Sequence, residues 1–443
     1  MRLERLVGVP LTDLTFHHVV QLVDGQVDEG FDLDFKGGLY GKTDSDKAEM
    51  AADVAALANV QGGLLLLGVE DDNGRASGIT PVPLDEDELL RIQHVITSKI
   101  VPVPEFEFIR VPKAEGATEG YIGVIVGRSD RQPHAVVVEK GFRFPKRETR
   151  GKRWMSETEI ADAYRSRFQQ ARASTDRLRE IARQGEVRLD RDQCAWVTFT
   201  FVPAIPGEFE INASRLRALR DWPAFRERSL TRSLWSGLTE VGTGVRKVLL
   251  RSGSPTDAGL ERYEYIELHR DGSLFCAIPH ANAKRDRDGD NQGASFQIND
   301  EWLIDDALVA LMFAREHAIQ AGASGDVLTT LSIVPPKDAN FPQLQLCHLR
   351  FQGFREITGR AAGELVTQGH TLDLDALNDS KELLIATRLL MTDVMNHFSI
   401  AEVMQITSDG KLRWNYFMRR SQDFIRDWAN RHGIELIDET VGG

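Results

Sequence analysis

Apolar positions change period in a regular order along the first third of the chain. Phe31, Leu33 and Phe35 alternate with Asp32, Asp34 and Lys36. A period of two predicts a strand with apolar residues on one face and carboxylates beside an ammonium on the other. Asp46 to Val60 reads as an amphipathic helix, with Met50, Val54, Leu57 and Ala58 at i, i+4, i+7 and i+8. Asp46 with Glu49 has the form of a capping box, and Asn59 with Gln61-Gly62-Gly63 supplies the stop, where glycine takes a positive φ. Leu64 to Val69 is a continuous apolar run suited to a central buried strand. Asp71-Asp72-Asn73-Gly74 turns the chain.

Asp85 to Ile100 predicts a second helix, with Leu89, Ile92, Val95 and Ile96 on its core face and acids in its first turn. Residues 105–111, 121–126 and 134–144 read as strands. Ser156-x-x-Glu159 is a capping box that opens a long, arginine-rich helix reaching about Arg183. Further on, the pattern predicts a strand from Cys194 to Phe201, a helix within Ile211 to Trp222, and a hairpin from Tyr263 to Ile278 turning at Asp271-Gly272. Residues 284–293 are polar and glycine-flanked, as in a linker. A helix from Asp300 to about Ala321 follows, then strands near 327–334 and 344–350, and helices over much of Ser380 to Arg431. Ile400 to Trp428 reads as two helical stretches about Asp409-Gly410, core helices in preference to a helix-turn-helix.

The chain is 443 residues long, enough for several domains, and its 42% hydrophobic and 27% charged content is that of an ordinary globular protein. No apolar run approaches a membrane span, and the N-terminus has no cleavable apolar segment, so a cytoplasmic protein without membrane partners is expected. Cys194, Cys276 and Cys347 are far apart, as free thiols would be, and the eleven histidines show no ligand spacing.

Charge changes the picture. The net charge of −13 argues against nonspecific nucleic-acid binding, but it is unevenly spread. Residues 140–183 hold 13 basic and 6 acidic residues, and Lys140, Arg143, Lys146, Arg147, Arg150, Lys152 and Arg153 fall within fourteen positions. Interleaved with Phe142, Phe144 and Trp154, this run suits phosphate neutralisation with base stacking. The plain alternative is a solvated loop whose phenylalanines belong to the core, as their i, i+2 spacing favours. Likewise, Asp34-Phe35-Lys36 is either the solvated face of a sheet or a carboxylate–ammonium pair serving a metal-bound water and a phosphate.

Together these parts resemble the Schlafen AlbA-2 domain over about residues 28 to 160. The likeness rests on Glu29-x4-Asp34-Phe35-Lys36, a helix ending Ala56-Leu57-Ala58-Asn59, Gly62-Gly63, Gly68-Val69-x-Asp71, Phe142-Arg143-Phe144 and Trp154-x3-Thr158-Glu159-Ile160. In nuclease members three acidic residues hold the metal, and by motif position these fall on Glu29, Asp34 and Asp71, with Glu70, Asp72 and Asp32 as substitutes. The family usually has Glu where this chain has Asp34, so the carboxylate is one methylene shorter.

The resemblance implies an AlbA-2-like domain with a mixed sheet over 1–160, and the pattern of elements beyond it completes an α/β (α+β) reading: a basic connecting helix over 161–190, an α+β module over 191–283, a linker over 284–293 and an α+β domain over 294–443. The resemblance also implies a nucleic-acid-binding protein that is a metal-dependent endoribonuclease acting on structured RNA such as tRNA. Glu29, Asp34 and Asp71 would hold Mg2+ or Mn2+, both oxygen-seeking ions. Lys36 would stabilise phosphate charge, the basic run would hold the backbone, and a homodimer would supply a second lobe. The rivals are a non-catalytic DNA-binding regulator and a structural oligomerisation module.

Overall fold

Glycine at 62 and 63 sets the geometry on which the N-terminal sheet depends. Gly62 sits at φ +77°, and a Cβ there would lie 2.5 Å from the Val126 carbonyl; one on Gly63 would run into the Asp32 backbone. The apolar strand Gly63–Leu67 can therefore lie directly against Leu33–Lys36, which it pairs in parallel from Leu33 beside Leu64 to Lys36 beside Leu67. The helix Asp44–Ala58 joins the two as a β-α-β crossover, the connection parallel neighbours require.

The computed structural model describes residues 2–149, 151–189, 191, 194–220, 230, 240–251, 265–282, 295–335, 343–349, 355–362, 365–367, 369–419 and 421–438. Arg150, the expected linker 284–293, and the expected element ends at 221–222 and 263–264 lie outside them. The chain divides into two compact units, Met1–Gln170 and Ala171–Gly443. Both are mixed α/β, as the hydrophobic patterning predicts.

In the first unit the parallel pair extends into a mixed five-stranded sheet through Glu119–Val126, which also pairs antiparallel with Phe106–Pro112 and with Val82–Pro83. The helices Asp44–Ala58 and Glu86–Lys99 contribute to one buried cluster with Leu65, Leu67, Ile122 and Val124. The second helix buries the four residues expected of it: Leu89, Ile92, Val95 and Ile96. Strand alternation puts Leu64, Leu66, Leu33 and Phe35 into a second cluster with Val19, Leu22 and Tyr121.

Several expectations are corrected here. The helix starts at Asp44, and Thr43 with Asp46 forms its capping box, not Asp46 with Glu49. The stretch 134–144 is two strands, Ala135–Val138 and Gly141–Arg143, turning at Glu139, whose φ is +54°. Phe31 and Phe142, expected to pack in the core, are 45% and 63% exposed. The alternating acids of the first strand are not a solvated face, because Asp32 and Asp34 are both buried.

The second unit is built on one antiparallel sheet in the order 240–244, 247–251, 265–269, 274–282, 194–205, 324–334, 365–366, with 370–373 also on 324–334. Cys194–Ile205 pairs with Leu274–Asn282 on one side and Ser324–Val334 on the other. Strands from both expected C-terminal modules thus share a sheet and a core, which includes the helix Asp300–Gln320. Between Ser380–His397 and Gln422–His432 the described residues form an isolated bridge at Ile406, a two-residue strand and a 3-10 turn, so 400–428 is not a pair of helices about Asp409-Gly410. No described helix is long and apolar enough to cross a membrane.

Candidate functional site: a charge-compensated cluster beside a basic hairpin

Asn59 ends the Asp44–Ala58 helix, and its buried side chain builds the surroundings of the site. Its amide nitrogen donates to the carbonyls of His134 and Pro145, both at 2.8 Å, and its oxygen accepts from the His134 amide at 2.6 Å. One residue thereby fixes the chain on both sides of the Lys140 hairpin, including the strand Pro145–Arg147. Burial pushes the neighbouring His134 imidazole down to about 4.

Arg147, expected on the surface, is 2% exposed. Its guanidinium donates to the carbonyls of Gly30 (3.2 Å) and Leu33 (3.1 Å) and pairs with Glu29 at 2.9 Å and Asp34 at 3.0 Å. The planar fork of five donors suits that task, and an ammonium could not replace it. Glu29 uses its other oxygen to accept from the Phe35 amide at 2.9 Å. Asp34 also accepts from Lys36 Nζ at 3.1 Å.

Lys36 leads to a residue the sequence reading missed. Asp53 lies 3.6 Å from Lys36 Nζ, accepts from Tyr40 Oη at 2.7 Å and pairs with Lys152 at 2.6 Å. Lys152 also holds Glu49 at 2.7 Å. The available signal was a lone carboxylate inside Met50-Ala51-Ala52-Asp53-Val54-Ala55-Ala56, an otherwise apolar stretch of helix. A charge buried there needs a partner.

Three buried carboxylates, Glu29, Asp34 and Asp53, thus face three cations, Arg147, Lys36 and Lys152. The Asp34 carboxyl is pushed up to about 7: burial acts first, then Asp53, against the lowering effects of Lys36 and Arg147. Burial opposes the Lys36 charge, but Asp34 and Asp53 outweigh it and raise its pKa. The Tyr40 phenol is raised by burial and by Asp53, so it stays a hydrogen-bond donor.

The expected metal set is not assembled. Asp71 is exposed and accepts from the Gly74 amide at 3.1 Å, capping the turn between Val69–Asp72 and Arg75–Ile79. Glu70 is used by Thr80 at 2.9 Å and Asp72 by Asn73 at 2.9 Å. Among the described residues no three His, Cys, Asp or Glu side chains gather so as to hold a metal ion. Glu29 and Asp34 do meet, but a guanidinium lies between them where a cation would sit, so this donor set does not fit Mg2+ or Mn2+ as arranged.

The basic run is sorted by its neighbours. Arg147 and Lys152 belong to the cluster. Lys146 pairs with Glu159 at 3.3 Å, and Arg153 pairs with Glu148 and, at 2.6 Å, with Glu159. Glu159 is itself the N3 residue of the Ser156 capping box. Lys140 and Arg143 remain exposed. Arg143 lies over the Trp154 ring at 5.5 Å, with Trp154 42% and Phe142 63% exposed. Phe144 instead packs edge-on against Tyr164.

Residues 29–156, which contain this whole arrangement, match the family model for Schlafen, AlbA_2. The segment is a Schlafen AlbA-2 domain. Nucleic acid is the class of partner that the AlbA-2 assignment suggests. No curated protein matches the chain. Two solved structures are similar in part. The DIP2311 protein of Corynebacterium diphtheriae is 19% identical with a TM-score of 0.24, the match covering 49% of this chain and 36% of that one. The chain therefore spans little more than a third of that protein. The N-terminal domain of an ATP-dependent DNA helicase RecG-related protein from Nitrosomonas europaea is 17% identical with a TM-score of 0.22, the match covering 30% of this chain and 88% of that one.

Proposed function

We propose that the AlbA-2 domain binds structured RNA, of which tRNA is the type, through the Lys140–Trp154 surface, with its acidic cluster closed by Arg147. The observation that carries this reading is the exposed Arg143–Trp154 stack. A guanidinium over an indole offers a flat cationic platform on which a base stacks, while Lys140 at the hairpin tip meets phosphate. Phe142, on the opposite face of the same short strand, adds a second exposed ring. The charge-compensated cluster fixes Pro145–Arg147 through Arg147, and Lys152–Trp154, the strand that carries Trp154, through Lys152.

Metal-dependent endoribonuclease activity is a second reading, favoured by the meeting of Glu29 and Asp34 on one guanidinium. It requires Arg147 to release both. The deciding experiment incubates the full chain with total tRNA and with duplex DNA, each with Mn2+ and with EDTA. The expected result is tRNA bound and uncut in both conditions, with Trp154→Ala and Arg143→Ala each weakening affinity roughly tenfold, in line with about 1–3 kcal/mol per stacked base. Cleavage with Mn2+ alone would replace the binding reading by the nuclease one. Retention of duplex DNA but not tRNA would favour the DNA-binding regulator.

A further inference from the structure

The second unit holds a polar cleft that the RNA reading does not use. Its volume is about 300 Å³, at the lower end of the range for small-ligand sites. Arg177 lines it from the Glu157–Glu186 helix, Arg246 from the turn after Glu240–Gly244, Lys247 from the start of the next strand, Lys247–Arg251, and His269, Arg270 and Asp271 from the end of Tyr265–His269 and the turn after it. Four of these six side chains are permanent cations and one is a carboxylate. No Phe, Tyr or Trp is among its described lining residues, so recognition here is by charge and hydrogen bonding rather than by stacking.

The floor is built, not incidental. Lys247 is only 5% exposed, and its Nζ lies 2.6 Å from the fully buried Glu267. Glu267 also meets His269 Nε2 at 3.1 Å and accepts from the Tyr265 hydroxyl. Burial works to raise the Glu267 pKa, but hydrogen bonds from His269, Lys247 and Tyr265 overcome it and bring it to about 2. A carboxylate that stays ionised behind the wall holds an ammonium and an imidazole in fixed positions. Arg177 bridges Asp271 at 2.9 Å and His269 Nδ1 at 3.3 Å, which orients the third donor group.

The rim carries charge in excess. Arg270 pairs with Glu208, but Arg246 has no ion-pair partner among the described residues and is exposed. Arg246 also sits at φ +59°, in the left-handed region that glycine or asparagine occupies at lower cost. An arginine kept in such a turn at the mouth of a cationic cleft is the kind of local strain found at binding sites.

We infer that this cleft binds a small phosphate-bearing anion, with Arg246 and Arg270 at the rim and Lys247 at the floor as its charge partners. A tetrahedral dianion has acceptors enough for several guanidinium donors and an ammonium together, whereas a carboxylate fills a single fork. The source of the phosphate is either free inorganic phosphate or a phosphate monoester.

The test titrates the full chain with inorganic phosphate and with ribose 5-phosphate at constant ionic strength, with chloride as control, by calorimetry. Saturable binding is expected, weakened at least fivefold by Arg246→Gln and by Arg270→Gln. Both positions are exposed turn residues, and the melting temperatures of the unliganded variants should match wild type. Arg143→Ala, in the AlbA-2 domain, should leave the affinity unchanged, which separates this result from any failure of the RNA reading. Tighter binding of ribose 5-phosphate identifies a monoester as the ligand, and equal binding identifies free phosphate. No saturable binding above the chloride control, or affinity indifferent to both rim variants, or affinity lost with Arg143→Ala, overturns the inference.

Discussion

Arg147 and Arg143 are four positions apart in one basic run and have opposite fates. Arg143 is exposed over an indole; Arg147 is enclosed by two carboxylates and two carbonyls. Removing one partner of a buried ion pair leaves uncompensated charge, at a cost of about 3–5 kcal/mol. Arg147→Ala should therefore lower the urea-unfolding free energy by roughly that amount, while Arg143→Ala changes it little. Asp34 makes a prediction of opposite sign in pH. Its carboxyl is held at about 7 against an ordinary 3.8, so the fold accommodates the protonated form better. The stability it contributes is complete below about pH 4 and is lost as pH rises through about 7. Asp34→Asn is neutral throughout. Its melting temperature relative to wild type should rise between about pH 5 and about pH 8; a constant difference would show that Asp34 does not titrate there. None of this was legible at the residue scale, because seven cations in a run look alike until their neighbours are known.

Elements were far more legible. The helices Asp44–Ala58 and Glu86–Lys99 follow their apolar period, and the Asp271-Gly272 hairpin follows its turn dipeptide. Helix ends were less so: Thr43-x-x-Asp46 closes a capping box with Asp in the place of the usual Glu. At the other end, Asn59→Ala removes three buried hydrogen bonds and strands two carbonyls and an amide. A loss of about 3 kcal/mol in unfolding free energy is expected, since each unsatisfied buried group costs about 1–3 kcal/mol. Under the proposed function RNA affinity should fall with it, because Asn59 fixes both ends of the basic hairpin. Gly185 tests propensity against packing. Alanine is favoured over glycine inside a helix by about 1 kcal/mol, yet a Cβ at 185 would land on the Phe275 ring. Gly185→Ala should therefore lower the melting temperature; a rise would mean that the ring moves aside at no cost.

At the scale of the molecule, each unit carries its own buried clusters. Those of Met1–Gln170 draw on residues 3 to 136, and those of Ala171–Gly443 on residues 178 to 429. A fragment of residues 1–170 should accordingly unfold cooperatively on its own, and under the proposed function it should keep the tRNA affinity of the full chain to within about threefold. A fragment that folds but does not bind would move the RNA surface elsewhere. In the second unit the same principle erases an expected division, because Cys194–Ile205 and Ser324–Val334 are central neighbours of one sheet. A linker-like stretch between two segments says nothing about whether their strands later pair.

By itself the sequence determined what depends on neighbours in the chain: periods of apolar residues, turns at Gly62-Gly63 and Asp271-Gly272, the Ser156–Glu159 cap, and the order of parts that marks residues 29–156 as an AlbA-2 domain. Tertiary structure alone decided what depends on neighbours in space. It brought Asp53 to Lys36 and Lys152, gave Glu29 and Asp34 to Arg147, left Asp71 to its own turn, and turned Phe142 outward. The physical reason is electrostatic. A buried charge is tolerated only beside its opposite, and the partner that satisfies it is chosen by distance after folding, over separations along the chain that no local pattern records.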